Sequence, residues 1–126
     1  MKALISEATI QTPYVCFDPA NNKFQVSGKS LPEDSNTFYA PIIQWIDRYA
    51  ENPAQKTDFY FKMDYYNTAS ARYISRIVHT LDKMAKNHHK VKIFWFYQAV
   101  DEDMESMGDE FYETTDLDFE LVEIQE

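Results

Sequence analysis

The 126-residue chain carries 21 acidic and 12 basic side chains, a formal net charge of -9 that opposes general affinity for nucleic acid or an anionic membrane. Its hydrophobic fraction of 44%, with only two glycines and five prolines, is typical of one packed domain over residues 1–126 and excludes a disordered chain. No stretch approaches the ~20 apolar residues that cross a bilayer. Residues 1–17 also lack the apolar core of a secretory signal, so we expect a cytoplasmic protein without membrane insertion.

The first predicted elements are two strands that form a β-hairpin. Residues 14–18 (YVCFD) and 23–28 (KFQVSG) are strand-forming, and the turn-forming residues PANN separate them. The single cysteine, Cys16, excludes an internal disulfide and fits a reducing compartment. Its position in the first strand predicts a small buried side chain.

A helix is predicted next, within residues 31–53. Its side chains at helical spacing are Phe38, Ile42, Trp45 and Tyr49. Ser35 or Asn36 is available as the N-cap. Pro41 is expected close to the first turn, because farther along it would remove a needed hydrogen bond and bend the helix.

Alternating strands and helices make up the rest of the chain. Residues 57–64 alternate between apolar and polar side chains, which predicts a half-buried strand. An amphipathic helix follows over about residues 68–87. Its apolar face is formed by Ile74, Ile77, Val78, Leu81, Met84 and Ala85. Residues 91–97 are apolar on both faces and predict an interior strand, followed by an acidic helix over 101–113 and a final strand over 118–124.

This order of elements, ββαβαβαβ, predicts the α/β class with a mixed sheet. The hairpin supplies antiparallel pairing, and right-handed crossovers supply parallel pairing, with the helices packed against the sheet. Charge is distributed unevenly over these elements, since no basic residue follows Lys92 whereas twelve acidic residues do. We interpret this acidic end as a solvated surface, with a dedicated docking patch as the alternative.

No pattern in the chain is typical of a catalytic, metal or cofactor site. The two glycines stand far apart, which excludes a glycine-rich phosphate loop. Residues 101–112 resemble a calcium loop only superficially, because Ser106 replaces the turn glycine and Tyr112 the final glutamate. The three histidines lack the spacing of a zinc site. We therefore expect no catalytic residue, no metal, no cofactor and no enzymatic activity.

The start of the predicted second helix, DYYNTASARY, places amide and hydroxyl side chains directly after a strand. Asn67 or Thr68 can cap the helix, and Ser70 can bond within its first turn. However, ligands and partners of α/β proteins tend to engage beyond the carboxyl ends of strands, where a helix N-terminus also supplies free N–H groups. Helix capping and modification of a hydroxyl by another protein are therefore both open interpretations.

Three blocks of the sequence resemble the SiaC-type bacterial regulatory phosphoproteins. They are SLPEDSNTFYAPIIQWIDRY, FYFKMDYYNTASARYISRIVHTLDKM and VKIFWFY, and the resemblance covers nearly the whole chain. Its most specific feature is the combination of PEDSN before the first helix with the turn D-Y-x-N-T-x-S. The element order is also similar to that of STAS domains, the anti-sigma-factor antagonists. The resemblance thus implies a single SiaC/STAS-like domain over residues 1–126.

The resemblance further implies a partner switch. A serine/threonine kinase with a GHKL-type ATP-binding fold phosphorylates such proteins, and a metal-dependent phosphatase removes the phosphate. The unphosphorylated form binds an effector, in the best-known members a diguanylate cyclase, which it activates to make cyclic di-GMP and so control biofilm formation. The family's phosphoacceptor falls on Thr68. The motif commonly continues Thr-Ser-Ser, and Ala69 in its middle position leaves Ser70 as the second choice.

Partner contacts are expected around this turn. The candidate contact residues are Tyr65, Tyr66, Asn67, Arg72, Tyr73 and Arg76. Tyrosine is enriched among interface anchors. Arg72 and Arg76 lie four residues apart on the helix face opposite Ile74 and Ile77, and we expect the arginines to meet acidic groups of a partner.

Two alternative functions are consistent with the same sequence. The chain could be an anti-sigma-factor antagonist that acts only on a kinase partner and never on a cyclase. It could also be a small ligand-binding domain or enzyme, which would require a deep cavity with convergent carboxylates.

Overall fold

The first three strands of the sheet form an antiparallel meander. They are β1 (Leu4–Ser6), β2 (Tyr14–Asp18) and β3 (Lys23–Ser30), in a computed structural model that describes residues 1–125. A 3-10 turn over Pro19–Asn21 joins β2 to β3, so the predicted hairpin is confirmed. Glu126, the last residue of the predicted domain, lies outside the described residues. The short edge strand β1 was not predicted, because three residues are too few for alternation to be recognised.

Three helices alternate with the three remaining strands. In chain order they are α1 (Ser35–Glu51), β4 (Lys56–Tyr66), α2 (Thr68–Lys86), β5 (Lys90–Gln98), α3 (Glu102–Thr114) and β6 (Asp118–Ile124). The pairs β3–β4, β4–β5 and β5–β6 are parallel, and the strand order across the sheet is β1-β2-β3-β4-β5-β6. The predicted mixed α/β fold is confirmed, with β1 added to its start. Over residues 1–125, no helix combines the length and the apolar character needed to cross a membrane.

The core lies between the helices and one face of the sheet. Right-handed crossovers that all advance in one direction place the three helices on the same face. The alternation predicted for residues 57–64 is confirmed, because Phe59, Phe61 and Met63 are buried against the helices. Trp95 of β5 is fully buried, packs on Phe61 and donates its indole N–H to the Met104 carbonyl of α3 at 2.9 Å.

The second face of the sheet carries no helix within the described residues. Tyr60 and Phe94 stack there with ring centroids 4.6 Å apart. The ammonium groups of Lys62 and Lys92 lie 4.9 Å and 4.8 Å from the ring centroids of Phe96 and Phe94. Lysine side chains therefore cover these rings. Although β5 is an interior strand, as predicted, only one of its two apolar faces is fully buried.

Helix α1 differs from the prediction at its start. Asp34 is its N-cap, and the Asp34 carboxylate accepts the backbone N–H of Thr37 at 3.1 Å and the Thr37 hydroxyl at 2.8 Å. The predicted caps Ser35 and Asn36 are instead the first helical residues. Pro41 is the seventh residue of the helix, one turn farther in than predicted. The helix continues through Pro41 without the hydrogen bond that an N–H at this position would donate to Thr37.

Candidate functional site

Asn67 connects β4 to α2 and caps the helix. Its backbone is extended, and its side-chain oxygen accepts the backbone N–H of Ser70 at 2.8 Å. The backbone N–H of Asn67 donates to the carbonyl of Ser30 at 3.0 Å, which ties the turn to the end of β3. Capping is therefore the role of Asn67, and Thr68 is the first residue of the helix.

Ser70 is completely buried at the junction of α2 and β3. Its hydroxyl donates to the Ser30 carbonyl at 3.0 Å and accepts the Ser30 hydroxyl at 2.8 Å. Since the Ser30 proton is used in this way, the neighbouring Tyr39 phenol is the donor in its hydrogen bond with Ser30. Burial raises the pKa of Tyr39 and keeps that proton in place. In this fold, the Ser70 hydroxyl is inaccessible to a modifying enzyme.

Thr68 has the opposite environment. Its side chain is exposed, and its hydroxyl makes no hydrogen bond to any residue within 1–125. It stands at the N-terminus of a 19-residue helix, where backbone N–H groups point outward. The three polar residues around the start of α2 thus differ in role. Asn67 caps the helix, Ser70 is buried, and the exposed Thr68 hydroxyl makes no hydrogen bond within the described residues.

An open groove of about 520 Å³ separates the start of α2 from α3. From β4 and α2 it is lined by Tyr65, Tyr66, Asn67, Thr68 and Ala71. Three carboxylates, from Asp101, Asp103 and Glu110, line the opposite wall. The groove is therefore acidic, with Thr68 at its edge, and we call it the α3 groove.

The two tyrosines of the α3 groove differ in exposure. Tyr65 is 51% exposed and available for contact. Tyr66 is half-buried, and its hydroxyl donates to the backbone oxygen of Asp103 at 3.2 Å. Burial raises the pKa of Tyr66, and the negative charges of Asp103 and Asp101 raise it further. Tyr66 therefore links β4 to the start of α3 as a neutral phenol.

A second groove, of about 540 Å³, lies on the other side of α2, between α2 and α1. We call it the α1 groove. From α2 it is lined by Ala69, Arg72, Tyr73 and Arg76, and from α1 by Ser35, Asn36, Ala40, Ile43 and Gln44. Its lining residues within 1–125 include two arginines and no carboxylate, in contrast to the α3 groove.

Tyr73, expected to be an exposed contact residue, is less exposed than predicted. It is half-buried and stacks on Tyr39, with ring centroids 4.8 Å apart and an interplanar angle of 4°. Its hydroxyl donates to the side-chain oxygen of Asn36 at 3.3 Å. Tyr73 thus packs α2 against α1. Its position four residues before Ile77 was the sequence signal for this packing role.

The two arginines of the α1 groove also differ. Arg76 is exposed and forms an ion pair with Asp47 of α1 at 2.8 Å. Arg72 is exposed and has neither an ion pair nor a side-chain hydrogen bond within residues 1–125. Arg72 is therefore a charged group without an acceptor in the described part of the chain.

The predicted site residues thus lie on two sides of α2. Thr68 lies with Tyr65, Tyr66 and Asn67 at the α3 groove, and Arg72, Tyr73 and Arg76 line the α1 groove. Sequence reasoning missed the carboxylates opposite Thr68 and the Ser30 and Tyr39 hydroxyls behind Ser70. These residues are about 30 to 40 positions away in the chain, and only the acidic bias after Lys92 indicated that negative charge would be available.

The alternative of a small enzyme or ligand-binding domain requires an enclosed pocket with convergent carboxylates. Both grooves are open to solvent. Among the side chains of residues 1–125, no group of three or more His, Cys, Asp or Glu is placed to hold a metal ion. The geometry is that of a surface on which another macromolecule can lie.

Comparison with known proteins covers nearly the whole chain. A sequence model of SiaC family regulatory phosphoproteins matches residues 6–124. An uncharacterized protein of Pseudomonas aeruginosa is 23% identical over 121 residues, which are 96% of this chain and 96% of that protein.

Solved structures of two forms of SiaC from Pseudomonas aeruginosa share the fold. Apo-SiaC superposes with a TM-score of 0.85 at 23% identity and covers 97% of this chain and 99% of that chain. The second structure contains the diguanylate cyclase SiaD in complex with its activator SiaC, and the match has a TM-score of 0.86 at 23% identity. It covers 96% of this chain and 99% of that chain.

Proposed function

The chain belongs to the SiaC family of regulatory phosphoproteins, and on this basis we propose that it is a phosphorylation-controlled adaptor that binds and activates a diguanylate cyclase. The unphosphorylated chain binds the cyclase and increases its synthesis of cyclic di-GMP. A serine/threonine kinase phosphorylates Thr68 and ends the interaction, and a metal-dependent phosphatase restores it. The chain itself performs no catalysis and requires no cofactor. It acts in the cytoplasm, where the kinase finds ATP and the cyclase finds GTP.

The observation that carries this proposal is the free hydroxyl of Thr68. It is exposed and makes no hydrogen bond within residues 1–125, at the first residue of a helix whose cap and buried contacts are supplied by other residues. A phosphate there adds about -1.5 to -2 charge at pH 7. The helix dipole favours that charge by about 0.3 to 1 kcal/mol, so the fold tolerates the modification.

The same phosphate opposes a complex. Tyr65, close to Thr68 in the chain, is 51% exposed. A partner that covers both residues must either bury the phosphate or dissociate. An unpaired buried charge costs about 3 to 5 kcal/mol by analogy with broken buried ion pairs. At about 1.4 kcal/mol for each tenfold change, binding falls by roughly two to three and a half decades. One group thus leaves the fold intact and removes the complex.

The structures of SiaC support the choice of partner. SiaC of Pseudomonas aeruginosa forms a complex with the diguanylate cyclase SiaD as its activator, and this chain shares that fold over nearly its full length. In the contact surface that we propose, Tyr65 and Arg72 meet the partner directly. Arg76 lines the α1 groove in its ion pair with Asp47. Asn67, Tyr66 and Tyr73 fix the shape of the surface through their hydrogen bonds.

The test uses the chain and a purified diguanylate cyclase from the same organism. We expect the wild-type chain and Thr68→Ala to bind in calorimetry and to raise cyclic di-GMP production, and Thr68→Glu to lose both effects. Gln55→Glu is the matched control, because it adds the same charge at an exposed residue just before β4, at the opposite end of that strand from Tyr65 and Thr68. Failure of the wild-type chain to bind, or equal activation by Thr68→Glu, contradicts the proposal.

Phosphorylation is tested separately by mass spectrometry. We expect the chain recovered from its native cells with phosphatase inhibited to carry phosphate on Thr68 in the peptide spanning residues 64–81. Phosphate on another residue, or none under any growth condition, contradicts the assignment of Thr68.

A further inference from the structure

Arg72 has no acceptor among residues 1–125, although it lies one helical turn after Thr68. Its side chain is exposed and forms no ion pair or hydrogen bond with the rest of the described chain. Arg76, one turn farther along, differs because Asp47 binds it at 2.8 Å. Arg72 is thus a free cation next to a hydroxyl for which we propose modification.

Helix geometry brings the two side chains together. Residues four apart on an α-helix have Cβ atoms about 5 to 6 Å from each other. Long helical side chains also lean towards the N-terminus of their helix, so the Arg72 side chain extends over the turn that contains Thr68. A phosphate on the Thr68 oxygen comes within reach of the guanidinium, whose planar fork of N–H donors matches two phosphate oxygens.

The charges around Thr68 also favour contact of a phosphate with Arg72. Asp101, Asp103 and Glu110 line the α3 groove, and Tyr66 faces it as a neutral phenol. A dianion on Thr68 is repelled from that side, since no basic residue follows Lys92 in the chain. Attraction comes from the side of Arg72, which lines the α1 groove.

We propose that Arg72 binds the phosphate of phosphorylated Thr68 within the same chain and draws it away from the α3 groove. This inference rests on the proposed phosphorylation of Thr68 and identifies Arg72 as the residue that binds the phosphate. Phosphorylation then makes two changes at once. It adds negative charge at the start of α2, and it occupies the arginine that is available to a partner's carboxylate in the unmodified chain.

The test measures the second pKa of the phosphate by ³¹P NMR, with phosphothreonine installed at position 68 by genetic encoding. This pKa is about 6 for an unperturbed phosphate. We expect Arg72→Gln to raise it by about 0.3 to 1 unit, because the dianion loses its counter-charge. Arg76→Gln is the matched control and should leave it unchanged, since Arg76 is eight residues, or about 12 Å along the helix, from Thr68.

Lys29 is the other cation to test, because it pairs in register with Tyr65 at the end of β3. An unchanged phosphate pKa in Arg72→Gln, or an equal rise in Lys29→Gln or Arg76→Gln, overturns the assignment. Circular dichroism of each variant checks that the fold is retained. Because the phosphothreonine is encoded, this outcome does not depend on a kinase or a cyclase, and failure of the proposed function would be detected separately by the binding and mass-spectrometry experiments.

Discussion

Two hydrogen bonds join Ser70, at the start of α2, to Ser30, the last residue of β3: hydroxyl to carbonyl at 3.0 Å and hydroxyl to hydroxyl at 2.8 Å. Both residues are fully buried. This junction holds the first turn of α2 against the sheet, and Thr68 does not contribute to it. Stability measurements can therefore separate the residue that builds the site from the residue that we propose is modified.

We expect Ser70→Ala to lower the free energy of unfolding by about 1 to 3 kcal/mol, because the buried Ser30 groups lose their partner. Thr68→Ala should change it by less than about 0.5 kcal/mol, as is usual for an exposed residue without contacts. Urea denaturation followed by tryptophan fluorescence measures both values. A comparable loss in Thr68→Ala would show that Thr68 has a structural role.

Asn67→Ala removes the cap of α2 and should lower the free energy of unfolding by about 0.5 to 2 kcal/mol. Asn67→Asp is the matched control, since a carboxylate oxygen can accept the Ser70 N–H in the same way. Urea denaturation of the two variants compares them directly. Equal instability in both would mean that the side-chain oxygen is not what stabilises the turn.

Gly108→Ala should destabilise the contact of α3 with the sheet. An added Cβ would lie 2.5 Å from Trp95 Cδ1 and 2.7 Å from Leu121 Cδ2, distances too short for carbon atoms. Although alanine favours helix by about 1 kcal/mol relative to glycine, overpacking against a buried indole costs about 1 to 3 kcal/mol. We expect a net loss of stability and a change in Trp95 fluorescence. Ser106→Ala, an exposed site on the same helix, should produce neither effect.

Asp103→Asn should move the pKa of Tyr66 down towards its ordinary value. Burial, the largest cause of the raised pKa, stays, whereas the charge of Asp103 is removed and that of Asp101 remains. Because the pKa is raised in the folded state, the stabilisation from the neutral phenol is complete below the ordinary tyrosine pKa of about 10. It is lost as the pH rises through the higher folded value.

Carbon-13 NMR of Cζ-labelled tyrosine follows this titration, and Tyr66→Phe assigns the signal by removing it. A Tyr66 pKa that is the same in Asp103→Asn and in the wild-type chain would contradict the contribution of the Asp103 charge.

Periodicity predicted most of the fold because the repeated apolar side chains are those that the core buries. The alternation in residues 57–64 and the apolar face from Ile74 to Met84 match the buried residues of β4 and α2. The start of α1 was predicted incorrectly, since Asp34, Ser35 and Asn36 are all good capping residues. Only the geometry selects Asp34, whose carboxylate reaches the Thr37 N–H.

The site was predictable only where it is local in the chain. Asn67, Thr68 and Ser70 lie within four positions, so their residue types indicated a capped helix start with a choice of hydroxyls. Which hydroxyl is buried depends on Ser30, forty residues earlier. The sequence likewise could not show that Arg72 and Thr68 border different grooves, because the charges of those grooves come from other elements. The direct contacts of Tyr65, Arg72 and Arg76 with a partner remain predictions.

The order of strands in the sheet has a consequence for how the chain folds during synthesis. Every strand pairs with the strand next to it in the chain, so each new α/β unit can add to an edge that already exists. Ser30 leaves the ribosome before α2 does, so the residue that bonds Ser70 is already available when the helix emerges. The acidic wall that faces Thr68 comes from α3 and is added later. The residues that anchor the start of α2 are thus synthesised before the helix, and the residues that form its acidic surroundings are synthesised after it.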